Sequence, residues 1–269
     1  RLVSKILNTG DTIIYDSTVY PGFTEEICIP ILNDSNLKLN KGYYVGYSPE
    51  RINPGDKKHS LKKIIKVTSG SCKRASKDID ELYSIILFGK TYKAPSIKIA
   101  EAAKAIENAQ RDVNIAFMNE LTKIFNLAKI DMGEVLKASR TKWNFIDFKP
   151  GFVGGHCIGV DPYYLNYLAR KNNYTTKIIL NGRNVNNSMS SYILKKTLRI
   201  AKENYLAFSK TKVLLLGYTF KENCPDFRNT MSKDIFLKLR RKFKRVEIYD
   251  PYVSIKDIEN KTINIVNNY

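Results

Sequence analysis

Cys157 stands in the segment GGHCIGVDP, with Gly151, Gly154, Gly155 and Gly159 around it, His156 before it, and Asp161 and Pro162 where a helix is expected to start. Glycines let a substrate approach the sulfur closely. A thiol near a helix N-terminus and cations ionises more readily, and the thiolate attacks carbonyl carbon. A buried cysteine beside a tight turn is the plainer alternative. Glu101, Lys104 and Asn108 recur at helical spacing and share a face. A lysine and a carboxamide side by side can stabilise an oxyanion, although such a pair on a helix is usually just solvated. Glu50 follows Ser48 and Pro49 at the end of an expected strand, the end at which parallel sheets meet ligands. It could act as a general base if burial tunes it, or pair with Arg51. Ser17 and Thr18 in STVYPG close another strand, where hydroxyls could touch a cofactor, order a water or simply make a turn. In GYTFKENCPDFRN, Lys221 and Arg228 could bind phosphate or ribose, arginine by a bidentate fork, or belong to a charged surface loop.

These residues need elements to carry them. LVSKILNTGD reads as the end of a helix and a Gly-Asp turn, and IIYDSTV as a buried strand. FTEEICIPILND suits a helix, YYVGY and IIKVTSG suit strands, and CKRASKDIDELYSIIL suits a helix with apolar Ile79, Leu82, Ile85 and Ile86. Strand and helix alternate as in a mostly parallel sheet. From Ser96 an alanine-rich stretch places Ile106, Val113, Phe117, Leu121 and Ile124 at helical spacing without Pro or Gly. Some thirty residues would span about 45 Å as one helix, the spine of a helical middle domain. MGEVLKAS, DPYYLNYLARKN and a long stretch over 177–204 read as further helices. KVLLLGYTF, SKDIFLKLRRK and VEIYDP then resemble the opening of a second nucleotide-binding α/β unit.

Composition bounds the function classes. At 269 residues and 43% hydrophobic, about two domains and a folded chain are expected. The net charge of +19 would attract nucleotides, nucleic acid or anionic lipid. The densest basic run, KLRRKFKR, alternates apolar and basic residues like a helix flank, and no helix-turn-helix, zinc-finger or RNP-like pattern accompanies it, so no nucleic-acid partner is expected. No long apolar run and no secretory pattern occurs, which sets cytoplasmic as the default expectation, with no membrane partner. Four dispersed cysteines and two histidines give no CxxC pair, so neither a metal site nor a disulfide framework is expected.

Taken in order, STVYPG, SPERINPGD, EAAKAIEN, GGHCIGVD and GYTFKENCPDFR resemble the UDP-glucose/GDP-mannose dehydrogenase family across essentially the whole chain. The resemblance implies oxidation of a sugar's primary 6-hydroxyl to a carboxylate, in two hydride transfers with NAD as cofactor. It implies that Cys157 forms a thiohemiacetal and then a thioester, that Lys104 and Asn108 stabilise the oxyanion, and that Asp161 and Thr18 order the hydrolytic water. Glu50 would act in thioester hydrolysis. Lys149, Gly154, Phe220 and Lys221 match positions holding the nucleotide sugar, and Ser17, Thr18 and Arg228 positions at the cofactor. The variants GGHCIGVDPYYL and SPERINPGD look most like members acting on UDP-N-acetylhexosamines for O-antigen or capsule synthesis.

The implied fold is α/β: an incomplete Rossmann-like N-terminal domain (1–95), an all-α middle domain with a long central helix (96–207) through which family members dimerise, and a partial Rossmann-like C-terminal domain (208–269). Family members open with a GxGxxG turn that cradles the NAD pyrophosphate. No GxGxxG occurs in these residues, so the chain is expected to enter after the first half of the cofactor domain. A non-catalytic remnant that keeps the helical dimer domain is therefore the alternative reading.

Overall fold

A computed structural model describes residues 1–52, 61–88, 90–253, 263, 265 and 266. In chain order the helices and strands are α1 (Leu2–Ile6), β1 (Thr12–Tyr15), α2 (Ile29–Leu32), β2 (Tyr44–Tyr47), β3 (Lys66–Thr68), α3 (Lys73–Leu87), β4 (Thr91–Lys93), α4 (Ile97–Leu127), α5 (Met132–Ser139), α6 (Asp161–Lys171), α7 (Ile178–Asn187), α8 (Met189–Glu203), β5 (Lys212–Leu216), α9 (Met231–Arg240) and β6 (Arg245–Tyr249). They form two compact units, Arg1–Ala109 with Asp161–Thr176, and Gln110–Val160 with Lys177–Tyr269. The expected division at residues 95 and 207 differs from this one. Helix α4 belongs to both units, because the side chain of Glu101 bonds its first turns to Gly22 and Thr24.

In the first unit β1 pairs with β2 and β3 with β4, all parallel. The core gathers Leu32, Tyr43, Val45, Tyr47, Val67, Ile97 and Ala100. Strand β2 is buried throughout, and Gly46 within it has no room for a side chain: a Cβ there would lie 2.1 Å from Ile79 Cδ1. That contact seats α3, whose N-cap Cys72 accepts from the Ala75 amide. Two expectations change here. Strand β1 ends at Tyr15 and is half-exposed, because Asp16 and Ser17 turn outward, so IIYDSTV is not one buried strand. In α3 only Ile79 of the expected apolar set is buried. Leu82, Ile85 and Ile86 face outward, and Ala75 and Leu87 share the inner face. The segment FTEEICIPILND is helical in three joined pieces, a wide π-turn over Thr24–Cys28, α2, and a tight 3₁₀ turn over Asn33–Ser35, with Pro30 in the first turn of α2, where a missing N–H is tolerated.

In the second unit β5 and β6 pair in parallel, α9 lies against them and α8 against α9. Ile235, Phe236, Leu239, Val246 and Ile248 form its core. Leu239 and Phe243 of the basic run are buried while the cations between them remain accessible. The helical stretch expected over 177–204 is interrupted at Ser188, whose hydroxyl donates to Val185 O and accepts from Lys123 Nζ.

Helix α4 buries an unexpected face. Glu101, Ala105, Ala109, Asp112, Ala116 and Asn119 are buried at helical spacing, whereas Ile106, Phe117 and Ile124 of the expected stripe are half exposed. Small alanines allow close packing; a Cβ added at Gly182 of α7 would sit 3.5 Å from Ala116 Cβ. The large apolar residues are left on a second face. Among the described residues no helix is long and apolar enough to cross a membrane, and no group of three His, Cys, Asp or Glu is arranged to hold a metal ion.

Candidate active site

In the first unit Asp161 opens α6 and is almost fully buried, and Asn108 Nδ2 donates to its Oδ2 at 2.6 Å. A carboxylate at a helix N-terminus meets the positive end of the helix dipole. Lys104 lies one turn before Asn108 on α4 and is half-buried. Glu101, a further turn back, is fully buried and accepts from Gly22 N (2.5 Å), Thr24 N (2.9 Å) and Thr24 Oγ1 (2.6 Å). Burial pushes its carboxyl above the usual range, and the bonds from Thr24 and Gly22 pull it back only in part. Glu101 therefore anchors the STVYPG segment to α4. Helix α6 holds the same segment from another side: Lys171 pairs with Glu26, Tyr20 Oη donates to Glu26 Oε2 at 3.0 Å, and the Tyr20 and Tyr167 rings lie 4.6 Å apart.

The ends of β1 and β2 run on together, with Ser48 N donating to Tyr15 O at 2.9 Å and Glu50 N to Asp16 O at 3.3 Å. Ser17 is exposed and Thr18 half-buried beyond β1. Glu50 is exposed, and its Oε1 accepts from Ile52 N at 2.5 Å. Arg51 pairs with Glu107 at 2.8 Å, not with Glu50. Lys66 is buried beneath this turn and donates to Pro49 O at 3.2 Å. Tyr47 closes β2 with a fully buried hydroxyl that has no hydrogen-bond partner among the described residues. Burial, then the carboxylates of Glu101 and Asp161, push its phenol upward, so it stays protonated.

In the second unit Cys157 is exposed, and its carbonyl accepts from Val160 N at 3.0 Å, closing a turn. Gly155 has φ +78°, a left-handed conformation that favours glycine, and a Cβ on it would lie 2.9 Å from the Phe220 ring. A Cβ on Gly154 would lie 2.9 Å from Phe220 Cβ. The cysteine loop thus rests on Phe220. Phe220, Gly154 and Lys221 also line a cavity of about 650 Å³, with Phe152, Thr230 and Tyr252. Asp250, just after β6, borders it; its Oδ2 accepts from Tyr218 N (2.6 Å) and Thr219 N (2.9 Å) and its Oδ1 from Tyr252 N (2.8 Å). Burial raises the Asp250 carboxyl, but these backbone amides outweigh it and hold the carboxyl below the usual range. Arg228 grips Asp226 of its own loop with Nε and Nη2, at 3.0 and 2.6 Å, so its guanidinium is already engaged. Lys149 is exposed and is not among the residues lining this cavity.

Family models match nearly the whole chain. The NAD binding domain of the UDP-glucose/GDP-mannose dehydrogenase family matches residues 1–87, its central domain residues 98–188 and its UDP binding domain residues 214–269. The chain belongs to the UDP-glucose/GDP-mannose dehydrogenase family. It is 51% identical over 260 residues to a UDP-N-acetyl-D-glucosamine 6-dehydrogenase of Salmonella typhi, covering 96% of this chain and 61% of that protein. It is 52% identical over 256 residues to a protein of the same name from Pseudomonas aeruginosa, covering 95% of this chain and 61% of that one. Among solved structures, the UDP-N-acetyl-mannosamine dehydrogenase Cap5O of Staphylococcus aureus superposes with a TM-score of 0.82 at 32% identity, covering 96% of this chain and 60% of that one. The chain thus spans about three fifths of the length of these relatives.

Of the residues singled out in the sequence, Asn108 and Asp161 meet in the first unit, and Gly154, Phe220 and Lys221 share one cavity in the second. Sequence reasoning missed Tyr47, Asp112, Asn119 and Asp250. The signal for Asp112 and Asn119 was their helical register with Glu101 and the alanines of α4; Asp250, directly after the strand RVEIY, carried no such signal. For a nicotinamide dinucleotide, Ser17 and Thr18 place hydroxyls just beyond β1, where parallel strands end, which suits one end of such a molecule.

Proposed function

We propose that this chain takes part in NAD-dependent oxidation of a UDP-N-acetylhexosamine at C6 to the uronic acid, through a thioester on Cys157. The observation that carries this reading is the seating of the glycines before Cys157 on Phe220, which also walls the cavity containing Lys221. A cavity of about 650 Å³ is of a size for a drug-sized or nucleotide ligand. Lys221, Phe220 and Gly154 hold the nucleotide sugar there, and Lys149 is a further contact to it. Ser17, Thr18 and Arg228 contact the cofactor, and Arg228 must then release or share Asp226.

NAD, when bound, accepts a hydride from C6 in each of two oxidations. The first leaves an aldehyde, the alcohol proton passing to solvent. The Cys157 thiolate adds to the aldehyde carbon, and Lys104 and Asn108 stabilise the oxyanion of the thiohemiacetal. Loss of the second hydride leaves the thioester. Asp161 and Thr18 order a water, Glu50 assists its attack, and the C–S bond breaks to give the carboxylate and the free thiol. Asp161 is suited to this because Asn108 fixes one of its oxygens.

We further propose a homodimer in which the exposed face of α4, with Phe117, Ile124 and Leu127, meets a second copy; a cytoplasmic location and a role in surface-polysaccharide synthesis complete the reading. The test is turnover of UDP-N-acetylglucosamine. Two NAD should be reduced per sugar, and Cys157→Ser should stop formation of the acid. Undiminished acid from that variant would remove the thioester route.

A further inference from the structure

Residues 151–160 carry four glycines and no helix or strand, so the position of Cys157 must be fixed by contacts from outside the loop. One contact stands out. Asn119, fully buried on α4, bonds both backbone polar groups of Gly151: Gly151 N donates to Asn119 Oδ1 at 3.0 Å, and Asn119 Nδ2 donates to Gly151 O at 2.8 Å. Gly151 is itself exposed, yet both its backbone polar groups bond to one buried side chain.

The carboxamide is in turn held rigid. Asn119 Nδ2 also donates to Asn186 Oδ1 at 2.8 Å, Asn186 Nδ2 donates to Asp112 O and Oδ1 at 3.0 and 2.7 Å, and Arg183 Nη1 donates to Asp112 Oδ1 at 2.5 Å. Every member of this chain is buried. The far end of the loop meets the same network, since a Cβ at Gly159 would lie 3.6 Å from Arg183 Nη2. A buried carboxamide costs stability unless it is bonded, and the residue one turn before it on this face of α4 is Ala116, so Asn119 marks a place where packing alone does not suffice.

We propose that Asn119 is a positioning residue for Cys157, acting by a two-point clamp on Gly151. This rests on the reading of Cys157 as nucleophile, but the clamp is testable without turnover. Hydrogen exchange followed by mass spectrometry on the whole chain, and the pH dependence of Cys157 alkylation by iodoacetamide, are measured for wild type, Asn119→Ala and Asn119→Asp. In Asn119→Ala, exchange across 151–157 is expected to rise about tenfold while α9 and β6 keep theirs, and the alkylation midpoint to move by about half a pH unit. In Asn119→Asp the protonated carboxyl can donate to Gly151 O as the amide does, so protection should return as pH falls. Unchanged exchange at 151–157, a rise shared equally by α7 and α9, an unmoved alkylation profile, or no recovery in Asn119→Asp would each overturn the proposal. Absent sugar oxidation by the wild type would instead count against the dehydrogenase reading and leave the clamp's own result standing.

Discussion

Arg183→Met is expected to destabilise the second unit strongly at pH 8 and less so at pH 5. Asp112 is fully inaccessible, Arg183 nearly so, and their contact is 2.5 Å. Two charges about 4 Å apart at an effective dielectric near 20 attract by about 4 kcal/mol, and removing one partner of a buried pair typically costs about 3–5 kcal/mol. Urea lowers the stability of a unit this size by roughly 2 kcal/mol per molar, so the midpoint at pH 8 should fall by about 2 M. Burial already pushes the Asp112 carboxyl above its ordinary range, with Arg183 and then Asn186 pulling it back. Without Arg183 it rises further. A group whose folded-state pKa lies above the unfolded value binds its proton more tightly when folded, so stability grows as pH falls through that folded value and on toward the unfolded one. The variant should recover up to about 1.4 kcal/mol per pH unit on acidification, and the wild type less. Asp112→Leu combined with Arg183→Met removes both charges and should regain most of the loss, the more so because Asp112 Oδ2 and Arg183 Nε find no hydrogen-bond partner among the described residues even in the native pair. Urea unfolding followed by circular dichroism at several pH values reads all three. An unchanged midpoint at pH 8, or equal pH slopes in wild type and variant, would refute the reasoning.

Gly155→Ala forces a side chain into the left-handed region and against the Phe220 ring, at a combined cost of about 2–4 kcal/mol. Adding Phe220→Ala should relieve the steric share, so the double variant should be less destabilised than the two single losses sum to, and strict additivity would exclude the contact. Glu101→Ala leaves Gly22 N–H and Thr24 N–H without their acceptor, at about 1–3 kcal/mol each. Faster hydrogen exchange over 20–26 is the expected signature, and unchanged protection there would mean that α6 alone holds the segment.

The alternation of strands and helices and the order of the chemical motifs were legible because each is a local pattern. Strand β2, helix α3 and the break before α6 all follow from nearby residues. Burial was less legible, for a physical reason. Helix α4 has two apolar sides, and hydropathy favours the side with Ile106 and Phe117, whereas the packed side uses alanines for close approach and Glu101, Asp112 and Asn119 for bonds to residues distant in sequence. A polar residue on a packed face is unreadable until its partner is known. The same holds for Glu50 and Arg51: adjacency offered a pair, and the fold gave Arg51 to Glu107 and Glu50 to a backbone amide. Asp250 was hidden because its partners are main-chain amides, which no side-chain pattern announces.

Phe220 belongs to two places at once, the wall of the large cavity and the seat of Gly154 and Gly155. A ligand that favours one placement of this ring therefore favours one placement of the loop leading to the sulfur, and thermodynamic reciprocity requires the reverse. A covalent adduct on Cys157 that displaces the glycines must alter affinity in the cavity by the same factor by which occupancy of the cavity alters formation of the adduct at equilibrium. One aromatic ring thus makes the cavity and the thiol report on each other.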